Sequence, residues 1–300
     1  MIKKLERVVY FLYIFIFISC SQTKTTKNIY REKEINPRAT YYIGLANHSF
    51  EQKNYDLAYK NLIKAKIFNS ESIYIKNKIV ETIYAIINQD KKLFNGIKYL
   101  EDKFSLNLSE GEPFYKLSGL FHMMQGNIVV AESYFLDEIN SNKQTGKGVF
   151  KILAYIYNKQ QRFDKEIFIM EKAVKLYPND DYLLNWLGYS LVINTENYSY
   201  AKRLLNKAIS FDPTNLYYHD SMAWLYYKRG NYKKALEQIK DFISLDIKHS
   251  EILYHIGMIY IKLNEKEVGK KYLQLAIEKK NDDRIILKAK EELRKINNEK

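Results

Sequence analysis

The side chains that most often carry out chemistry are few and scattered in this 300-residue chain, which contains five histidines and a single cysteine. No histidine belongs to an H-E-x-x-H pair or to a Cys/His cluster, so the sequence predicts no metal site. A G-x-S-x-G nucleophile motif and an EF-hand loop are absent, and Gly148 stands where a phosphate-binding loop needs Ser or Thr. We therefore predict no catalytic residue, no metal, no cofactor and no enzymatic activity. The histidines are His48, His122, His219, His249 and His255.

The one cysteine, Cys20, follows a segment that differs in composition from the rest of the chain. Lys3, Lys4 and Arg7 precede an apolar run of 11 residues at positions 8–18. A run of this length is typical of the apolar core of a secretory signal, and it is shorter than the roughly 20 residues that a membrane-spanning helix needs. A single cysteine also excludes an internal disulfide bond. The sequence therefore predicts export.

Residues 17–20 resemble the lipobox of bacterial lipoproteins, although Phe17 stands where leucine is usual. The resemblance implies that residues 1–20 form a signal peptide and that Cys20 receives a lipid such as palmitate. Ser21, rather than an aspartate, follows the cysteine, which favours the outer membrane, on its periplasmic or surface face. Ordinary secretion and an uncleaved membrane anchor remain the alternatives.

Residues 21–38 are polar, contain few aliphatic side chains and predict a flexible tether. The whole chain carries a formal net charge of +13. Such a charge favours acidic partners or an anionic lipid surface, whereas nucleic acid is not expected as a partner of an exported, tethered chain. The alternative is that the abundant Lys, Ile, Asn and Tyr reflect genome base composition.

Five small residues recur at intervals of 35, 34, 35 and 34 positions: Gly119, Ala154, Gly188, Ala223 and Gly257. A period of this size, carried by small side chains, is typical of stacked helical hairpins. We expect these residues where two helices cross closely, since a larger side chain would push the axes apart. Because one hairpin cannot cover its own apolar face, neighbouring hairpins must stack and share a continuous core.

The repeating residues resemble the tetratricopeptide repeat (TPR), a helical hairpin of about 34 residues. The clearest unit begins at Leu216 and contains Ala223, Tyr232, Ala235 and Phe242. The resemblance implies an all-α fold: a right-handed α-solenoid of about seven TPR-like hairpins plus a C-terminal capping helix, over residues 39–297. The expected units are 39–72, 73–111, 112–146, 147–180, 181–215, 216–249 and 250–283, with the cap at 284–297.

The unit at 73–111 departs most from the repeat pattern, because it lacks the small residues and has Lys92 where alanine is expected. Its apolar residues still follow a helical period. We therefore expect a pair of helices that stacks in the array without a tight crossing.

The first helix of each TPR hairpin lines the concave face of an array, so the resemblance also indicates a groove. Aromatic side chains there would provide rigid contact area, and interleaved lysines favour an acidic or carboxylate-bearing partner segment. The alternative is that several of the tyrosines fill space between neighbouring hairpins. The predicted partner-binding residues are Lys151, Tyr155, Asn158, Lys159, Tyr182, Asn185, Tyr189, Tyr217, Trp224, Tyr227, Lys228, Tyr254 and Lys262.

The function expected from these observations is that of a membrane-tethered scaffold, which holds a protein or peptide partner in the concave groove. Outer-membrane protein or envelope assembly is the first interpretation. An adaptor or regulator of cell-wall enzymes and a surface-exposed, adhesin-like lipoprotein are the alternatives. The repeat architecture specifies neither the identity of the partner nor the oligomeric state.

Overall fold

The computed structural model describes residues 36–104, 106, 113–141, 145–243 and 247–298. The regular secondary structure in these ranges is helical, and no residue in them belongs to a β-strand. The predicted signal peptide, Cys20 and residues 21–35 of the predicted tether lie outside the described residues. None of the described helices is both long and apolar enough to cross a membrane.

Fifteen α-helices follow one another along the described ranges, two within each of seven successive stretches and one at the C-terminal end. A short 3-10 turn, Lys240–Phe242, extends the twelfth helix. This arrangement confirms the predicted all-α architecture of paired helices. The helices are α1 (Pro37–Glu51), α2 (Tyr55–Phe68), α3 (Ile73–Gln89), α4 (Lys91–Phe104), α5 (Pro113–Met124), α6 (Ile128–Ser141), α7 (Lys147–Lys159), α8 (Phe163–Leu176), α9 (Asp181–Asn194), α10 (Tyr198–Phe211), α11 (Leu216–Lys228), α12 (Tyr232–Ile239), α13 (Ser250–Lys262), α14 (Lys266–Glu278) and α15 (Asp283–Asn298).

The chain divides into two compact units, and the division falls within α3, between Thr82 and Ile83. The first unit contains α1, α2 and the start of α3, and its core includes the fully buried Ala58. The second unit contains the rest of α3 and α4–α15, and Phe135 is one of its largest fully buried side chains.

Asparagine and aspartate side chains begin many of the helices and so determine where the hairpin turns fall. The side-chain amide oxygen of Asn54 accepts a hydrogen bond from the backbone N–H three residues further on. The side chains of Asn197 and Asn231 do the same at the starts of α10 and α12. Asp180 begins α9 in this way, 2.9 Å from the N–H of Leu183. Each bond satisfies a backbone donor that the first turn of a helix leaves without an intrahelical partner.

The small-residue column lies where paired helices approach each other most closely. A Cβ atom on Gly188 of α9 would lie 2.8 Å from the Leu205 side chain of α10. Between α13 and α14, a Cβ atom on Gly257 would lie 3.1 Å from the backbone oxygen of Gly269, and one on Gly269 would lie 2.8 Å from that of Gly257. Ala223 is fully buried at the corresponding position of α11. These distances leave no space for a larger side chain, so the glycines allow the helix axes to come together.

The last helix, α15, buries Ile285, Ala289 and Ile296 on one face and exposes charged side chains on the other. It packs against α13 and α14. The helix therefore covers the apolar side that the last hairpin would otherwise expose to water. The predicted C-terminal cap is confirmed.

Three boundaries add detail to the predicted units. α1 begins at Pro37, two residues before the predicted start, because Asn36 caps the helix and proline suits its first position. α15 begins at Asp283, one residue early. In the divergent unit only Asp90 separates α3 from α4, and its carboxylate accepts a hydrogen bond from the backbone N–H of Lys92 at 2.8 Å. Lys92 thus lies in the exposed first turn of α4.

Candidate functional site

The predicted partner-binding residues lie on α7, α9, α11 and α13, each the first helix of its hairpin. The structure separates them into two groups. The residues on α7 and at the start of α9 combine accessible tyrosines with lysines. Most of the residues on the rest of α9, on α11 and on α13 are packed between hairpins.

The first group surrounds Tyr155 of α7. The ammonium nitrogen of Lys103, near the end of α4, lies 4.2 Å from the centroid of the Tyr155 ring, and that of Lys159 lies 5.6 Å from the same centroid. Phe104 is buried and packs on the ring with a centroid distance of 5.4 Å, which holds Tyr155 in place. A cation at these distances is attracted to the negative face of an aromatic ring. Two exposed lysines are therefore gathered on one tyrosine.

A second pair joins α7 to α9. Lys151 Nζ lies 4.4 Å from the ring centroid of Tyr182, which is 48% exposed. Burial lowers the pKa of Lys151, although the nearby negative charge of Asp180 acts to raise it. The Asp180 carboxylate itself pairs with Lys147 at 2.6 Å, so it compensates the charge of Lys151 only in part. We call Lys103, Lys151, Tyr155, Lys159 and Tyr182 the lysine–tyrosine cluster.

The two predicted asparagines differ in their surroundings. Asn158 Nδ2 donates to Glu166 at 3.0 Å, and Trp186 Nε1 donates to the other oxygen of the same carboxylate at 2.8 Å. Glu166 is buried at a position where the repeat usually has alanine, and these two donors satisfy it. Asn158 therefore supports the packing of the hairpin. The Oδ1 atom of Asn185 is buried and has no hydrogen-bond partner among the described residues.

Trp224 is the centre of the second group. Its ring stacks on His255 with a centroid distance of 3.9 Å and on Tyr227 with a distance of 4.3 Å. Only 8% of Trp224 and 9% of Tyr254 are exposed, and their rings lie 6.1 Å apart. These aromatic rings fill the space between α11 and α13, as the alternative interpretation of the tyrosines predicted.

Polar contacts connect the same helices. His255 Nδ1 lies 3.0 Å from each carboxylate oxygen of Asp220, and both side chains are buried. The Tyr189 hydroxyl donates to Glu251 at 2.8 Å, which connects α9 to α13 past the intervening α11. Trp224 Nε1 is buried without a hydrogen-bond partner among the described residues. The surface that α9, α11 and α13 share is thus largely occupied by their own side chains.

The tyrosines of the second group are uncharged near neutral pH. Burial raises the pKa of Tyr254 to about 12 and raises the pKa of Tyr227 above its usual range. The pKa of Tyr189 is raised by burial and by the Glu251 carboxylate. These hydroxyl groups therefore contribute hydrogen bonds and packing rather than charge.

Three predicted residues remain exposed around the second group, namely Tyr217, Lys228 and Lys262. The Tyr217 ring meets His249 edge-on at 5.1 Å. The part that these residues play in partner binding stays a prediction. Among the residues that the structure describes, no three His, Cys, Asp or Glu side chains converge in a way that could hold a metal ion.

Sequence reasoning did not assign Lys103, Asp220, Glu251 or His255 to the groove. Lys103 lies on α4, the second helix of the divergent hairpin, whereas the groove residues were predicted from first helices. Asp220 and His255 are separated by 35 residues, which is the repeat period, so a complementary pair at that spacing was the available signal. The hydrogen bond from Tyr189 to Glu251 spans 62 residues and has no such signal.

Comparison with protein families agrees with the helix pairs. The family described as "Tetratricopeptide repeat" matches residues 152–180, and "Anaphase-promoting complex, cyclosome, subunit 3" matches residues 194–275. The chain is 23% identical over 189 residues to TPR repeat-containing protein YpiA of Bacillus subtilis (strain 168), an alignment that covers 63% of this chain and 42% of YpiA. It is 30% identical over 92 residues to TPR repeat-containing protein PA4667 of Pseudomonas aeruginosa, covering 29% of this chain and 15% of that protein. The chain therefore spans less than half the length of both curated relatives.

Two solved structures share the fold. The crystal structure of the APC/C hetero-tetramer Cut9-Hcn1 aligns with a TM-score of 0.51 and 13% identity, over 81% of this chain and 47% of that one. The human IFIT1 dimer with m7Gppp-AAAA aligns with a TM-score of 0.50 and 18% identity, over 85% of this chain and 68% of that one. At these identities the likeness shows the fold alone. The repeat period, the paired helices and the family matches at residues 152–180 and 194–275 together show that the chain is built from tetratricopeptide-type helical hairpins.

Proposed function

We propose that this chain is a membrane-tethered scaffold that binds an acidic segment of a protein partner at the lysine–tyrosine cluster and serves outer-membrane or envelope assembly. TPR arrays generally use their concave surfaces to bind protein or peptide partners, and the family is generally non-catalytic. We accordingly propose a binding function and no enzymatic one.

The observation that carries the proposal is the placement of three lysine ammonium groups on two accessible tyrosine rings. Lys103 and Lys159 flank Tyr155, and Lys151 lies over Tyr182. In the described part of the chain, no carboxylate lies within ion-pair distance of any of the three nitrogens. Partner carboxylates would therefore gain charge-assisted hydrogen bonds from the lysines, and apolar parts of the same segment would gain contact area from the rings.

The second group of groove residues supports this choice of binding surface. The Trp224 ring is buried, and the Tyr189 hydroxyl is bonded to Glu251. An extended segment that bound along α9, α11 and α13 would have to displace these contacts. The lysine–tyrosine cluster needs no such rearrangement, because Lys103 and Lys159 already point into solvent.

Tethering is proposed from the residues that precede the described part. The apolar run 8–18 has the length of a secretory signal, and Cys20 follows it as the one thiol that could accept a lipid. We propose that the protein is exported and lipid-anchored in the cell envelope, at the outer membrane.

The test is capture of the partner through a photo-activatable aromatic residue in place of Tyr182, in intact membranes, followed by peptide identification. We expect one predominant protein, crosslinked through an acidic segment. Reversing two charges of the cluster, with Lys103→Glu and Lys159→Glu together, should lower the yield roughly tenfold. The matched control, Lys175→Glu with Lys207→Glu, reverses two exposed lysines on the second helices α8 and α10, outside the predicted groove, and should leave the yield unchanged.

Equal yields from the two double variants would refute binding at the cluster. The captured protein also distinguishes the cellular roles. A subunit of the outer-membrane assembly machinery supports an assembly function, whereas a murein hydrolase or synthase supports control of cell-wall enzymes.

A further inference from the structure

The first hairpin carries an exposed aromatic surface. The Tyr41 ring, 62% exposed, meets Tyr42 at a centroid distance of 5.3 Å, and Tyr42 stacks on Phe68 at 6.0 Å with nearly parallel planes. These rings join α1 to the end of α2. Together with Pro37 and Arg38 they line an open recess of about 370 Å³. Tyr42 and Phe68 are partly exposed, so the three rings form one aromatic surface, and exposed apolar surfaces often mark protein or membrane interaction sites.

Two cations accompany the rings. The Arg38 guanidinium carbon lies 5.6 Å from the Phe68 ring centroid, and Lys64 Nζ lies 5.5 Å from that of Tyr42. Neither cation has an ion-pair partner among the described residues. Aromatic rings and basic groups together suit the interface of a membrane that contains anionic lipid, where rings lie at the depth of the headgroups and cations meet phosphate oxygens. We call Arg38, Tyr41, Tyr42, Lys64 and Phe68 the first-hairpin face.

The first-hairpin face lies close in sequence to the residue that we propose to carry the lipid. The proposed lipid-bearing residue, Cys20, precedes the helix cap Asn36 by sixteen positions. A flexible segment of about 16 residues spans roughly 22 Å between its ends on average. A lipid anchor at Cys20 would therefore keep the first hairpin within reach of the bilayer at a high effective concentration.

We infer that the first-hairpin face docks on the surface of an anionic lipid membrane. Arg38 and Lys64 contact headgroup phosphates, and the rings of Tyr41, Tyr42 and Phe68 insert at the level of the headgroups. The inference rests on the proposed lipid anchoring, which supplies the proximity, but the contact is made by the folded hairpin itself. The first-hairpin face then holds the start of the array against the membrane, whereas the tether alone would only limit how far the array can move away from it.

The experiment uses the full-length, lipidated protein in vesicles of phosphatidylglycerol and phosphatidylcholine whose acyl chains are brominated near the headgroup. Bromine quenches the fluorescence of a tryptophan only at close range. In the Tyr41→Trp variant the added indole reports on the first-hairpin face, and the wild type, with Trp186 and Trp224, provides the background. The matched control is Phe168→Trp, because Phe168 is also exposed, at 56%, and has Lys172 over its ring at 4.8 Å.

Quenching of the Tyr41→Trp signal should exceed that of Phe168→Trp at least roughly twofold. The excess should disappear when Arg38→Glu and Lys64→Glu are added or when phosphatidylglycerol is omitted, because the cations then lose their phosphate partners. Equal quenching of the two introduced tryptophans, in protein that floats with the vesicles, would overturn the inference. A Tyr41→Trp emission that is already shielded from water without vesicles would also overturn it, because another part of the protein would then cover the first-hairpin face. Protein that does not float with the vesicles would instead refute the lipid anchor.

Discussion

Arg162, in the link between α7 and α8, shows how a single residue connects neighbouring hairpins. Its guanidinium group donates to both carboxylate oxygens of Glu132 in α6, at 2.5 and 2.8 Å, and the Tyr157 hydroxyl donates to the same carboxylate at 3.2 Å. The hydrogen bonds from Arg162 hold the pKa of Glu132 below its usual value of 4.5, against the opposing effect of burial. A bidentate ion pair of this kind fixes the relative orientation of the two side chains and also contributes to stability.

The Arg162→Met variant should lose about 1 kcal/mol of unfolding free energy at neutral pH, since the pair is partly exposed and solvent screens it. The folded-state pKa of Glu132 is lowered, so the contribution of the pair is fully present above the unfolded-state pKa and is lost as the pH falls through the lower folded-state value. Urea denaturation from neutral to acidic pH should show the wild type and the variant converging as the pH falls below 4.5. Lys270→Met, which removes one side of an exposed pair within α14, should show no such convergence. A loss that is the same at every pH would exclude this role for the pair.

At the scale of the helix pair, the crossing of α13 and α14 is the closest contact between two backbones described above. Helix propensity alone would favour alanine over glycine by about 1 kcal/mol in both helices. The nearest backbone oxygen lies too close for a Cβ atom on Gly269, so one of the helices would have to shift. The cost of overpacking, about 1–3 kcal/mol, therefore outweighs the gain in propensity.

Gly269→Ala should accordingly lower the unfolding free energy by up to about 2 kcal/mol, which is the overpacking cost less the gain in propensity. Gly44→Ala is the matched control, because Gly44 lies within α1 and a Cβ atom there would meet nothing within 4 Å. That substitution should leave stability unchanged or raise it by up to about 1 kcal/mol. Thermal unfolding followed by circular dichroism compares the two, and equal effects would exclude a tight crossing at Gly269.

The helices themselves could be predicted because their signals are local. Small residues at the repeat period, and the Asn or Asp that precedes many of the helices, are readable without knowing the contacts. The end of α12 is different: the helix tightens into a 3-10 turn at Lys240–Phe242, although the pattern of that unit is the clearest in the chain. In the divergent unit the pattern predicted helices but not the single-residue link at Asp90, since that link depends on how the aspartate caps α4.

At the scale of the whole molecule, the proposed tether depends on one atom, the sulfur of Cys20. Cys20→Ala should abolish incorporation of labelled palmitate and release the protein from the membrane fraction, because no other cysteine could accept the lipid. Ser21→Ala, next to it, should change neither property. Fractionation with mass spectrometry of the N-terminus measures both. An unmodified Met1 in membrane-extracted wild-type protein would contradict the lipoprotein proposal.

The repeat architecture and the cellular role are also properties of the whole molecule, and different observations support them. The matches at residues 152–180 and 194–275 concern the repeat architecture, which many unrelated partners can use. The net charge of +13 favours acidic partners and anionic surfaces without naming either. The partner must therefore be found by experiment on the lysine–tyrosine cluster.

The repeat, the number of hairpins and the amphipathic cap can be predicted from the sequence, because each follows from side chains at a fixed spacing along the chain. Which groove positions stay accessible depends instead on how the hairpins pack together. Tyr182 and Trp224 were both assigned to the groove from the repeat, yet Tyr182 is 48% exposed and Trp224 is 8% exposed. The difference arises because His255 of the next hairpin covers the Trp224 ring. Exposure is set by neighbours that are distant in sequence, whereas helix formation is set mostly by residues within a few turns.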